Sequence, residues 1–167
     1  MTAETLHLKM ENLNLAGILP PASEGKKERM EFYVEGKVVP KQSFRYSYKG
    51  GYISNDVRLY AHKVRNSFES EYPNWRVDNK NPFKMEIDIF FKIPKGKSKT
   101  FKTRCLAGEI RPIKRPDIDN CGKNVLDALN GIVYADDKQI VELTVRKYYA
   151  EIDYAKISIK EVDNESN

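Results

Sequence analysis

Between Phe83 and Ile93 apolar and polar residues alternate: Phe83, Met85, Ile87, Ile89, Phe91 and Ile93 fall on one side, Lys84, Glu86, Asp88 and Lys92 on the other. That two-residue period predicts a strand with one buried face. Ile140–Tyr149 alternates again, with Val141, Leu143 and Val145 expected inward, and residues 156–162 read as a last short strand. Met30–Val39 reads as a first strand closed by Pro40, followed by a hairpin in FRYSYKGGYIS with Gly50-Gly51 at its turn. Two stretches carry a helical period instead. Val57, Tyr60, Ala61, Val64 and Phe68 recur at spacings of three and four after the capping candidates Asn55 and Asp56. From Asp117 to Gly131 the stripe is Ile118, Cys121, Val125 and Leu129, with Pro116 suited to the helix entrance and Gly131 to its exit.

The resulting order is β, hairpin, α, β, α, β, β, an α+β domain with a mixed β-sheet packed against two main helices. Residues 1–28, with Pro20-Pro21 and SEGKKE, read as an N-terminal appendage. The domain proper spans 29–162, and 163–167 form a polar tail expected to fray. A chain of 167 residues suits one domain with a full core. No apolar run approaches the roughly 20 residues of a membrane span, and no signal pattern opens the chain, so the expected location is cytoplasmic. Cys105 and Cys121 are too few for a four-ligand zinc site and read as reduced packing residues.

Charge changes the picture locally. The net charge is +5, and between Lys92 and Arg115 nine basic residues face Glu109 alone. A solvated loop explains such a run as well as a phosphate partner does. What favours phosphate is the neighbour: the run ends at an acidic cluster, Asp117-x-Asp119.

At a helix entrance the backbone has not closed into regular turns, so carboxylates two apart can converge there, as they cannot within a helix. Asp136-Asp137 follows the helix and precedes a strand. Spacing alone does not bring it to the helix entrance; that depends on how the connection crosses. If Asp117, Asp119 and Asp137 do meet, three oxygen-only ligands select a hard cation, Mg²⁺ or its substitute Mn²⁺. Such an ion fits phosphodiester hydrolysis. Lys123 lies one turn beyond Asp119, placed to orient a carboxylate, hold a phosphate or protonate a leaving group. Each piece has a plainer reading as cap, turn or surface ion pair, and Asp127 reads better as a structural partner than as part of the site.

The run RPDIDNCGKNVLDALNGIVYADDKQIVEL resembles the signature of the RusA-type Holliday junction resolvases. The matching residues are Asp117, Asp119, Asn120, Lys123, Asp127-Ala128-Leu129, and Asp136-Asp137 followed by Gln139. FYVEGKVVPKQSFR is similar, more loosely, to that family's first strand and basic loop. The resemblance implies that Asp117, Asp119 and Asp137 are catalytic metal-binding positions. Lys123 takes the place of the essential lysine, and Asp136 is a secondary acid. It implies a homodimer, from bacteria or phage and associated with the nucleoid, that cuts four-way and other branched DNA symmetrically with Mg²⁺ and no organic cofactor. A two-fold dimer presents one site to each of two opposed strands of a junction. Two departures stand out: residues 1–28 lack a counterpart, and Gly122 occupies a helical position where a larger apolar residue is expected.

For DNA contact, Lys41, Phe44, Arg45 and Lys49 lie in an aromatic and basic stretch, and Lys114 and Arg115 lie beside the acids. Trp75 reads as loop packing. The competing expectation is a non-catalytic architectural protein that binds branched DNA and uses the same aspartates structurally.

Overall fold

The computed structural model describes residues 29–41, 45–47, 50–52, 54–78 and 80–162, with only the backbone of 45–47 and 50–52. Strands β1 (Met30–Glu35), β4 (Phe83–Lys92), β5 (Ile140–Ala150) and β6 (Tyr154–Glu161) form one sheet in the order β1-β6-β4-β5. β6 is antiparallel to both β1 and β4, whereas β4 and β5 run parallel. Parallel neighbours need a long crossover. Here it contains α2 (Lys99–Leu106) and α3 (Ile118–Leu129); α1 (Asn55–Glu71) precedes β4.

The alternation of β4 works as its pattern predicts. Phe83, Met85, Ile87 and Ile89 are fully buried and join Ile157 and Ile159 of β6 and Phe32 and Val34 of β1. Against this face pack Val64 and Phe68 of α1 and Cys121, Val125 and Leu129 of α3. Burying a side chain of that size contributes about 1.5–3 kcal/mol, so this layer supplies much of the fold's stability.

The other sheet face is polar. Arg146 donates to Glu86 and Asp88 at 3.0 and 3.1 Å, and Lys156 pairs with Glu31 at 2.8 Å. Burial pushes the Asp88 carboxyl above its ordinary range despite Arg146. At one corner Phe90 stacks between Tyr148 and Tyr154.

Several expectations need correction. A third helix, α2, lies in the basic run that reads as a loop; Ser98 caps it by accepting from the Phe101 amide, but its single buried residue, Cys105, gives no periodic stripe to find. β1 stops at Glu35 because Gly36 turns the chain at φ 97°, short of Val39. In the hairpin, β2 (Arg45–Ser47) pairs with β3 (Gly50–Tyr52), so Gly50 and Gly51 are strand residues rather than the turn. Val141 and Leu143 are 57% and 45% exposed, not inward, and Ile118 of α3 is 40% exposed. Val141 and Leu143 lie on β5, which pairs with β4 alone among the described strands, and Ile118 lies one turn before Gly122, where α3 meets β5. Val141 and Leu143 keep the expected period, but α3 reaches only to Leu143 and no described strand pairs with this edge.

Candidate active site

The short interruption before α3 sets the first part of the site. Asp117 stands at the N-cap of α3 with its carboxylate unused for capping, and Asp119 lies in the first turn. Both are exposed, and neither forms an ion pair among the described residues. The partial positive charge of a helix N-terminus favours carboxylates there. Lys147 of β5 aligns this entrance: its ammonium donates to the carbonyls of Lys114 and Pro116 at 2.9 and 3.1 Å. Lys123 is exposed one turn further on, likewise without an ion-pair partner among the described residues. Cys121, behind the two acids, is pushed up to about 11 by burial, so its thiol stays protonated.

Asp137 begins a single 3₁₀ turn, Asp137–Gln139, just before β5. Its neighbours hold that turn. Asp136 accepts from the Lys138 amide at 3.0 Å, and this bond keeps the Asp136 carboxyl below its ordinary range. Gln139 Oε1 accepts from the Ala135 and Asp136 amides, while its Nε2 donates to the carbonyls of Asp78 and Asn81. Asp136 is thus engaged as a cap, and Asp137 is left exposed.

The chain does not bring these two parts together. β5 begins beside Phe83, where the Tyr134 ring packs and the Tyr134 hydroxyl donates to Leu126 late in α3. Seven residues later Lys147 touches the entrance of α3. Helix and strand are therefore antiparallel, and the Asp137 end lies roughly 20 Å from the Asp117 end, about the length of a 12-residue helix or seven strand residues. Among the described residues, no three acidic, His or Cys side chains cluster closely enough to hold an ion. The expectation that Asp137 joins Asp117 and Asp119 within one chain fails because the connection returns to the wrong end of the helix.

The DNA-contact candidates divide in the same way. Lys114 and Arg115 are exposed immediately before Asp117. Lys41 pairs instead with Asp127 on α3, and its amide donates to the Asn120 carbonyl at 2.8 Å. Asn124, buried in α3, donates to Val39, so the segment leaving β1 is docked along the helix. Phe44 and Lys49 lie outside the described residues, and Arg45 is described only as backbone in β2. Trp75 donates to the Val133 carbonyl and packs edge-on against Phe68.

Sequence reasoning missed Lys147 and the work of Gln139. Gln139 was visible as part of the Asp-Asp-x-Gln run, but two of its four partners, the carbonyls of Asp78 and Asn81, come from a loop about 60 residues away. Lys147 carries no sequence signal. Gly122 has a reason in the packing: a Cβ there would stand 3.0 Å from Val145 Cγ2, so the glycine allows α3 to approach β5 closely.

The sequence profile described as Endodeoxyribonuclease RusA matches residues 35–160, which include β1's end, both acidic ends and Lys123. The chain belongs to the RusA endodeoxyribonuclease family. A curated relative, the uncharacterized protein YqaN of Bacillus subtilis (strain 168), is 40% identical over 83 residues. That match covers 48% of this chain and 58% of YqaN. The RusA match takes in β4, β5, nearly all of β6 and all three helices but only the last residue of β1, and both acidic ends fall inside it. No helix among the described residues is long and apolar enough to cross a membrane.

Proposed function

We propose that this RusA-family chain is a Mg²⁺-dependent endodeoxyribonuclease that works as a homodimer on Holliday junctions and related branched DNA, in recombination and repair. The observation that carries the reading is the division of the acids. Asp117 and Asp119 are exposed at one end of β5, and Asp137 is exposed at the other, on a strand that carries exposed apolar side chains and has no second neighbour among the described strands.

If two β5 edges pair antiparallel, the start of each strand faces the end of the other. Asp137 of the partner subunit then comes to the α3 entrance, and the two-fold symmetry makes two equal sites. Val141, Leu143 and Ile118 would be covered in the same step, which gives the association an apolar driving force.

The exposed, unspent carboxylates fit a hard divalent cation by their chemistry, and three from two chains would complete the ligand set. Such an ion, when bound, supplies water activation and stabilises charge on the phosphoryl oxygens. The chain's own residues do the remainder. Lys123 faces the same side of α3 as Asp119 and can hold the phosphate or give a proton to the departing oxygen. Lys114, Arg115 and the exposed lysines of α2 attract the backbone, so binding should weaken steeply with salt.

The test is to mix subunits. Asp119→Asn and Asp137→Asn homodimers should each be inactive on a synthetic four-way junction with Mg²⁺. Their mixed dimer has one doubly altered site and one intact site, so a mixture should regain about a quarter of wild-type nicking. No recovery despite subunit exchange would end the two-chain site. A non-catalytic architectural protein is favoured only by the absence of an acidic cluster within the described chain. Junction binding without nicking under Mg²⁺ or Mn²⁺ would select it.

A further inference from the structure

Residues 111–116, Arg-Pro-Ile-Lys-Arg-Pro, lead from α2 to the acids of α3 and are held at Arg111, Pro112, Lys114 and Pro116. The Arg111 guanidinium lies 3.7 Å from the centre of the Tyr148 ring. Pro112 is buried. The carbonyls of Lys114 and Pro116 are tied to Lys147. Because Lys147 and Tyr148 are consecutive in β5, their side chains leave opposite faces of the sheet. The loop therefore straddles the end of the edge strand and is gripped from both sides. At its apex Ile113 is 95% exposed.

A single exposed isoleucine is ordinary on a protein surface. This one differs in its setting. Val141 and Leu143 on the β5 edge, with Ile118 at the start of the adjacent α3, suit a second copy of the chain. Ile113 is flanked instead by the exposed cations Lys114 and Arg115, four residues before Asp117. An apolar tip beside cations matches a nucleic-acid branch, where unstacked base faces lie next to phosphates. Its β-branched side chain is stiff at χ1, and its backbone is already fixed, so little order need be gained on binding.

We infer that Ile113 is a wedge that enters the opened base step of branched DNA and registers the crossover against the neighbouring carboxylates. This rests on the DNA-cleaving reading above. The side chain makes no described contact, so its removal should leave the fold intact.

The experiment uses a four-way junction with 2-aminopurine at the crossover, in an Asp119→Asn background that keeps the DNA uncut. Protein with Ile113 should brighten the probe on binding. Adding Ile113→Ala should abolish most of that rise and weaken junction affinity about tenfold or more, in the range of lost base stacking. Duplex affinity and the salt dependence of binding should stay unchanged, since the phosphate contacts remain. An undiminished rise with Ile113→Ala overturns the wedge alone, as does an equal loss on duplex. Sedimentation of the variant as a monomer would make Ile113 a subunit contact and also overturn it. If protein with Ile113 intact neither prefers the junction nor brightens the probe, the DNA-cleaving reading falls as well, and that arm does not involve the variant.

Discussion

At the α3 end of β5 the backbone is secured by a lysine from the strand, and Asp117 and Asp119 stand exposed. At the opposite end the backbone is secured by Asp136 and Gln139, and Asp137 stands exposed. Both ends keep a carboxylate exposed while a neighbour makes the structural hydrogen bonds to the backbone. They differ in how firmly the turn is held. The first end is continuous with a buried helix. The second is a single turn tied by the Gln139 side chain to the backbone carbonyls of Asp78 and Asn81. The second end is therefore the one that substitution of a non-acidic residue should disturb most.

The largest effect should come from the acids themselves. Under the proposed function these acids would hold the ion; loss of a residue that merely supports a metal ligand commonly costs 10–100-fold in activity, so removal of one of them should exceed about 100-fold. Asp119→Asn should therefore abolish junction cleavage while leaving binding close to wild type, measured by gel cleavage and by binding without turnover. Unchanged cleavage would remove the α3 end from the comparison altogether.

Gln139→Ala comes next. It removes two acceptor and two donor bonds from the turn that presents Asp137, and should lower kcat by about 10–100-fold with little change in KM. Loss of the cap should also cost about 1 kcal/mol of stability. Gln139→Glu keeps the acceptor side and should recover part of the activity. A destabilised Gln139→Ala protein with full kcat would make Gln139 structural only.

How much of this was legible in the sequence depended on range. Alternation in 83–93 and the three-and-four spacing in 57–68 report local burial, and those elements appear where the pattern puts them. The carboxylates were legible as free oxygen donors because a helix entrance and a turn are local features. The separation of Asp137 from Asp117 was not legible, because it follows from the parallel pairing of β4 with β5 across a crossover. The exposure of Val141 and Leu143 was hidden for a related reason: alternation identifies the apolar face but not whether a neighbour covers it.

Acid should loosen the Asp137 end before the α3 end. Asp78 accepts from the Asn81 amide, and Asp136 from that of Lys138, and these bonds hold both carboxyls below the ordinary value of 3.8. A carboxyl lowered in the folded state contributes stability above its unfolded value, and that contribution is lost as pH falls through the lower folded value. Amide exchange at 135–139 should therefore stay slow above about pH 4 and accelerate below it. Both groups are only partly buried and solvent screens them, so the global melting temperature should move little. Exchange that accelerates first at the α3 entrance would reverse the ranking of the two ends.

The smallest effect tests the spacer between the ends. On an exposed helix Gly→Ala gains about 1 kcal/mol. At position 122 the new methyl would stand 3.0 Å from Val145 Cγ2 and 4.0 Å from Leu143 Cδ2, so either Val145 gives way or α3 lifts from β5. Crowding of this kind usually costs as much as the helix gains. Gly122→Ala should therefore leave the urea midpoint nearly unchanged, with a slight loss of cleavage as the Lys147 contacts at the α3 entrance lengthen. A gain of the full 1 kcal/mol with undiminished cleavage would mean that the helix floats over the strand, and the fixed distance between the two acidic ends would lose its mechanical basis.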